Sequence, residues 1–277
     1  MTQAKQYLPP GSPGRCWLRS DRRIYDTSPR SHLELVALLA IRGRMRYFVD
    51  GSVVTLGSGS LLWAHTDQSH FLLSESPGFE MWVLVLAPEL LHPSELFPPR
   101  LAAAPGYAPG LRQIGHDGLG ELSSIARTLR RTADPDMLRI GLRWWTARAW
   151  TVWSEAGPSV TRQLHPSVRR AVETLRLETE TPLAQIAKQA GASLSNLRRQ
   201  FRAELGMSLI EFRTERRLER ADAILSQAKP PALLAAALAA GFGSYSQFYR
   251  AFVAARGTTP SRYYALPELR QHKGVTG

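Results

Sequence analysis

The 277-residue chain carries one cysteine, Cys16, and that scarcity excludes several functions at once. A single cysteine closes no intramolecular disulfide, and no CxxC pair or Cys/His cluster has zinc-ligand spacing. No run approaches the roughly eighteen apolar residues of a membrane span, and the opening MTQAKQYLPPGSPGRCW lacks the apolar stretch of a signal peptide. These absences predict a cytoplasmic protein with no membrane partner. Acidic residues are also few, 23 against 35 Lys and Arg, which leaves a formal charge of +12. Such a field draws polyanions by Coulomb attraction and counterion release. The excess is uneven: from Arg162 to Gly277 there are 18 basic and 9 acidic residues, so +9 sits in the C-terminal part and +3 in the longer N-terminal part.

The chain is long enough for two domains, and 44% apolar with 21% charged residues is a globular balance. Residues 32–90 alternate short apolar runs with turn residues: LELVALLAIRG, MRYFVDGSVVTLG, SGSLLWAHTD, HFLLSESPG and FEMWVLVLAP. These read as consecutive strands. Asp50-Gly51, between Tyr47-Phe48-Val49 and Val53-Val54-Thr55-Leu56, is a two-residue hairpin signal, because a type I′ turn needs positive φ at both positions. Proline and glycine become dense from Pro88 to Pro109, which predicts an irregular crossing. From Leu119 to Trp153 the period turns helical, with a new start at Pro135. In the second helix Leu138, Leu142, Trp145 and Ala149 form an apolar stripe that Trp144 and Trp150 broaden. It reads either as packing on the protein's own sheet or as a dimer interface. Gly, two prolines and polar residues then mark 156–166 as a linker between a domain over 1–155 and another over 167–277.

The C-terminal part holds an internal repeat. PLAQIAKQAGASLSNLRRQFRAELGMS returns as ALLAAALAAGFGSYSQFYRAFVAARGTTP. From Ser193 and Ser244, an apolar residue stands four later (Leu197, Phe248), Arg six later (Arg199, Arg250), Phe eight later (Phe201, Phe252) and Gly thirteen later (Gly206, Gly257), at a constant offset of 51. Gly191 and Gly241 each follow an alanine by four residues (Ala187, Ala237), as a tight turn between two short helices requires. Each copy, about 182–205 and 232–256, therefore reads as a helix-turn-helix. In the first, Thr181-Pro182 supplies N-cap and first helical position, and Ser193 caps the second helix. Leu197 and Phe201 bury that helix, and Ser195, Asn196, Arg198, Arg199 and Arg202 stay on its polar face, where guanidinium forks suit guanine edges or phosphates. The matching face of the second copy offers Tyr245, Ser246, Gln247, Tyr249 and Arg250, with Gln suited to adenine. Solvated surface of a plain bundle is the bland reading, and two matches at one offset weigh against it. Between the copies, Leu209 to Leu225 reads as one amphipathic helix with Phe212, Leu218, Ala221 and Leu225 inward. Recognition helices entering successive major grooves would stand about 34 Å apart.

These residues resemble the AraC/XylS family of bacterial transcription regulators over roughly 166–266. The most specific pieces are Leu183-Ala184-Gln185-Ile186-Ala187 with Gly191-Ala192-Ser193, Arg217-Leu218-Glu219-Arg220-Ala221, and GFGSYSQFYRAF with Gly257-Thr258-Thr259-Pro260-Ser261-Arg262-Tyr263. The resemblance implies an α+β protein: an N-terminal cupin-like β-barrel with two following helices, then an all-α domain with two helix-turn-helix units. It implies a regulator, not an enzyme, that binds promoter or operator DNA as a homodimer, with RNA polymerase as a further candidate partner and a small-molecule effector in the barrel. Base-reading positions would fall at Ser195, Arg198 and Arg199 and at Tyr245, Ser246, Gln247, Tyr249 and Arg250.

For the effector, Phe48, Trp63, His70 and Trp82 are the candidate lining, with Phe71 beside them, although aromatics at strand spacing also serve as plain core. No cofactor is expected. His32, Glu34, His65 and His70 form no tight HxH pair, so no metal site is expected, and a cupin metalloenzyme with an appended DNA-binding domain stands as the alternative. A DNA-alkylation sensor would need a reactive cysteine with zinc-binding partners, and Cys16 is alone. Finally, ALLAAALAAGF has Ala236 where the family usually places a larger aliphatic residue, which predicts a looser second unit. Arg199→Ala should then weaken operator binding more than Arg250→Ala in a titration of both variants; the reverse order would overturn that asymmetry.

Overall fold

The computed structural model describes residues 8–9, 11–20, 34–65, 68, 70–91, 110–157, 159, 162–225 and 232–265. His32 lies outside the described residues, as does the proline-rich crossing from residue 92 to 109. The chain divides into two compact units between Gln163 and Leu164. The N-terminal unit is built from β1 (Gly14–Arg19), β2 (Leu35–Arg42), β3 (Arg44–Val49), β4 (Ser52–Gly57), β5 (Ser60–Ala64), β6 (His70–Glu75), β7 (Glu80–Leu86), β8 (Gly110–Gln113), α1 (His116–Leu129), α2 (Pro135–Glu155) and β9 (Arg162–Gln163). The C-terminal unit is helical: α3 (Pro166–Leu177), α4 (Leu183–Gln189), α5 (Leu194–Leu205), α6 (Leu209–Leu225), α7 (Leu233–Ala239), α8 (Tyr245–Arg256) and α9 (Pro260–Ala265).

The strands form two antiparallel sheets, ordered β1-β7-β2-β5-β8 and β6-β3-β4-β9. The class is α+β as expected, with one refinement: the cupin-like strands make two facing sheets and not a ladder closed all round. The Asp50-Gly51 hairpin forms, with φ of 42° and 80° and Val49 paired to Ser52. Alternation along the strands gives the larger sheet two apolar faces. Val36, Leu38, Leu62, Val83 and Val85 meet Met45, Val49, Val54 and Leu56 of the smaller sheet. Ala37, Leu39, Trp63, Trp82 and Leu84 meet Leu122, Ala126, Leu142 and Trp145 of the helices. Three strands lay outside the sequence reading. β1 pairs along its whole length with β7, β8 pairs with β5, and within the stretch read as linker Arg162 and Gln163 pair with Val53 and Ser52. Four- and two-residue strands are too short to show a period.

Asp134 caps α2 by accepting from the Met137 N–H at 2.8 Å. Leu142, Trp145 and Ala149 are buried against the sheet, and Trp150 stacks on Trp153 at 5.0 Å. Trp144 corrects the sequence reading. It does not broaden the sheet-facing stripe but points outward with Met137 and Ile140, at 58%, 60% and 63% exposure. At 100° per residue Trp144 is already a quarter-turn from Trp145, and positions 137, 140 and 144 fall on the opposite face.

His65, at the end of β5, is buried, and its backbone N–H donates to Gln68 Oε1 at 3.1 Å. Burial lowers its imidazole from 6.5 to about 4. The unfolded chain therefore takes up this proton first, and stability is lost as the pH falls from 6.5 towards 4, by up to about 3 kcal/mol. Urea unfolding across that window should show the loss, and His65→Gln should flatten it; an unchanged slope would remove His65 as the cause.

Candidate nucleic-acid interface

Each short helix of the C-terminal unit stands because its ends are satisfied locally. Ser193 Oγ accepts from the Asn196 N–H at 3.3 Å and Ser244 Oγ from the Gln247 N–H at 3.2 Å, so both recognition helices, α5 and α8, begin where the caps predicted. Gly191 and Gly241 turn the chain with φ of 71° and 92°, a conformation that a Cβ would strain. The start of α4 shifts by one residue: Pro182 is the cap position, and the Thr181 hydroxyl donates instead to Glu178 Oε2 at 2.7 Å. At α6, Ser208 and Glu211 make a reciprocal capping box, with bonds of 2.6 and 3.1 Å.

The cores follow the repeat. Ile186, Ala187, Leu197, Phe201, Leu205 and Phe212 are buried in the first motif, with Phe201 and Phe212 edge-to-face at 5.5 Å. In the second, Ala236, Ala237 and Ala240 are buried against Phe242, Phe248, Phe252, Tyr263 and Tyr264. The alanines expected to loosen this motif instead leave room for five aromatic residues, with neighbouring ring centroids 5.0 to 5.8 Å apart. Phe212, Leu218, Ala221 and Leu225 of α6 all face inward as expected, but Arg216, Glu219 and Asp222 are buried with them. Arg216 pairs with Glu219 at 2.6 Å, and burial pushes the Glu219 carboxyl up to about 7.

The outward faces carry the candidate DNA contacts. On α5, Ser195, Arg198, Arg199 and Arg202 are exposed and Asn196 is half-buried. Arg199 is not loose, because its Nη2 donates to Asn196 Oδ1 at 2.9 Å, which pre-orders one guanidinium. On α8, Ser246, Gln247, Tyr249 and Arg250 are exposed. Tyr245 is half-buried with its ring 5.9 Å from Phe248, and so serves the core as well as the surface. Gln247 Oε1 accepts from the Gly243 N–H at 3.2 Å, so this exposed side chain is already tied to the turn before α8. The two faces therefore differ: three free-standing or pre-ordered guanidinium groups against one.

The four aromatic and histidine positions nominated for an effector are not brought together. Trp63 and Trp82 lie on the helix-facing side of the larger sheet, and Phe48 stacks on Phe71 at 4.5 Å on the other sheet. His70 sits with its Nδ1 2.9 Å from the Gln68 carbonyl. Plain alternation puts Phe48 on the face of β3 opposite Met45, Tyr47 and Val49, and the irregularity in the β3–β6 pairing lies on β6, where Leu73 falls between the partners of Arg46 and Tyr47. A cavity of about 470 Å³ lies elsewhere in the N-terminal unit, lined by Leu8, Ser12, Glu34, Leu90, Arg139 and Arg143 among others. Among the described residues no three His, Cys, Asp or Glu side chains gather as a metal site. Burial pushes the Cys16 thiol up to about 12, and its Sγ faces the Ala126 carbonyl at 3.5 Å, so it is no reactive thiolate. No helix among the described residues is long and apolar enough to cross a membrane.

The helix-turn-helix domain model of AraC-type proteins matches residues 186–265, spanning both motifs and the connector. The C-terminal domain of AraT, a response regulator from Geobacillus stearothermophilus, is 30% identical over 37% of this chain and 86% of that one, with a TM-score of 0.34. The chain belongs to the AraC/XylS family. ToxT from Vibrio cholerae O395 is 13% identical over 91% of this chain and 97% of that one, with a TM-score of 0.39. A DNA-binding transcriptional dual regulator from Escherichia coli K-12 is 24% identical over 36% of this chain and 97% of that one, with a TM-score of 0.31. No curated protein matches the chain. As a member of this family the protein is a DNA-binding transcription regulator.

The caps offer a direct check. Ser193→Ala and Ser244→Ala should each cost about 1 kcal/mol in urea unfolding, and a cost near zero would mean the motifs do not depend on them.

Proposed function

We propose that this regulator binds specific promoter sites, with α5 and α8 entering successive major grooves about 34 Å apart. The observation that carries this reading is the exposed polar face of α5, where Arg198, Arg199 and Arg202 stand beside Ser195 and Asn196 on a helix whose opposite face is sealed by Leu197 and Phe201. Mixed hydrogen-bonding groups beside guanidinium forks suit base edges, whereas a purely architectural binder needs charge alone. Ser246, Gln247, Tyr249 and Arg250 read the second groove, with Tyr245 at its edge. DNA as partner makes the cytoplasm the place of work, and RNA polymerase is the partner through which a bound promoter would respond.

The effector site moves to the cavity beside α2, whose volume is in the range of small-molecule sites and whose wall mixes Leu8 and Leu90 with Glu34, Arg139 and Arg143. The outward stripe of Met137, Ile140 and Trp144 is where a second copy docks, since three large apolar side chains on one exposed helix face are costly to leave in water. Sedimentation should show a dimer that Ile140→Asp converts to monomer; an unchanged mass would place the interface elsewhere.

DNA selected from a random pool by the full chain tests the main reading. Sequence preference should survive competition by nonspecific DNA at fixed salt. Losing an arginine that reads a base should cost about 1–3 kcal/mol at one base position, and losing one that grips phosphate should lower the salt slope by about 1 without altering preference. Equal affinity for selected and random DNA would leave only a nonspecific binder.

A further inference from the structure

Both recognition helices rest on a supporting helix, α5 on α3 and α8 on α6, and the internal repeat allows the two contacts to be compared position by position. In the first motif the equivalent positions are apolar and buried, Val172 of α3 and Leu205 of α5. An offset of 50 before the turn and 51 after it carries these positions to Asp222 and Arg256. There the contact is ionic. Arg256 Nη2 lies 3.3 Å from Asp222 Oδ2 and its Nη1 3.6 Å from Glu215 Oε2, while the Tyr264 hydroxyl of α9 donates to Asp222 Oδ1. The Asp222 and Arg256 side chains are 9% and 15% exposed.

Stability does not require such a pair. Apolar residues of similar size in place of a buried ion pair are often neutral or stabilising, and the first motif shows that this site accepts them. What an apolar contact lacks is direction: it holds two helices together without selecting one rotation. The first motif obtains direction elsewhere, from Ser167 donating to Gln200 Oε1 at 3.0 Å and from the His165 N–H donating to Glu204 Oε2 at 2.9 Å. The positions of Gln200 and Glu204 fall in the second motif on Ala251 and Ala255, which can make neither bond. Each motif thus ties its recognition helix directionally, at different positions and by different chemistry.

We propose that Asp222 and Arg256, braced by Tyr264, are positioning residues that set the rotation and register of α8 and thereby decide which base edges the second motif reads. Arg256 is six residues beyond Arg250 on the same helix. Rotation of α8 by ten degrees would carry its reading side chains on the order of 1 Å, enough to spoil hydrogen-bond geometry. The proposal rests on α8 entering a groove.

The test transplants the first motif's solution into the second, as Asp222→Val with Arg256→Leu, in the full chain. Binding is measured on the site selected by the wild type, intact and with either half scrambled. The double variant should unfold at or above the wild-type temperature, lose at least roughly tenfold on the intact site and become indifferent to scrambling of the second half while still sensing the first. A folded double variant that keeps wild-type affinity and second-half discrimination overturns the proposal. Should it fail to fold, Tyr264→Phe decides, since it removes one bond to Asp222: weaker second-half discrimination supports the tie and unchanged discrimination overturns it. Arg250→Ala separates the two levels. If it leaves binding intact, the reading of α8 as a recognition helix fails; if it weakens binding while the transplant does not, only the positioning role fails.

Discussion

One helix closes two cores. A helix-turn-helix pair of seven and twelve residues cannot bury enough apolar surface to stand alone, and α6 supplies the missing surface to both copies. Its N-terminal half gives Leu209 and Phe212 to the first core, and its C-terminal half gives Leu218, Ala221 and Leu225 to the second. The separation of the recognition helices is therefore a property of α6, and anything that bends or turns this helix moves both reading faces together. That constraint accounts for the effort at its ends and along its flank: a reciprocal capping box at Ser208 and Glu211, and buried charges at Arg216, Glu219 and Asp222 on the side where two cores and a polar layer meet.

The two copies solve one problem with different materials. The first uses aliphatic residues around Phe201 and Phe212, ties itself at the start of α3 by two hydrogen bonds partly open to solvent, to Gln200 and to the Glu204 carboxylate, and presents three arginines. The second uses alanines under a layer of aromatic rings, ties itself by a buried ion pair, and presents a more neutral face in which Tyr245 and Gln247 already have duties within the protein. Small residues in α7 are thus part of the packing and not a deficiency, because a ring needs the volume that a larger aliphatic side chain would take.

In the N-terminal unit the same sheet serves two layers. One face meets the smaller sheet and the other meets α1 and α2, so nearly every strand residue is buried and β2, β5 and β7 read as continuous apolar runs. That double burial places Trp63 and Trp82 under helices. It also leaves the cavity at the edge of the unit, beside the chain before β1 and the turn after β7.

The recurrence at an offset of 51, the helix caps and the turn glycines are local facts, and local facts are what a sequence carries: they determined the double helix-turn-helix, the amphipathic connector and the polar outward faces of α5 and α8. The Asp50-Gly51 hairpin was legible for the same reason, since the turn needs only its own two residues. Which aromatic residues meet around a site was not legible, because the pairing of β3 with β6 and the second layer over the larger sheet are set by partners far along the chain. Nor was the ion pair of Asp222 with Arg256, separated by 34 residues. In sequence both look like solvated helix charges, and only the crossing of α8 over α6 removes them from water and gives each a partner in a fixed direction.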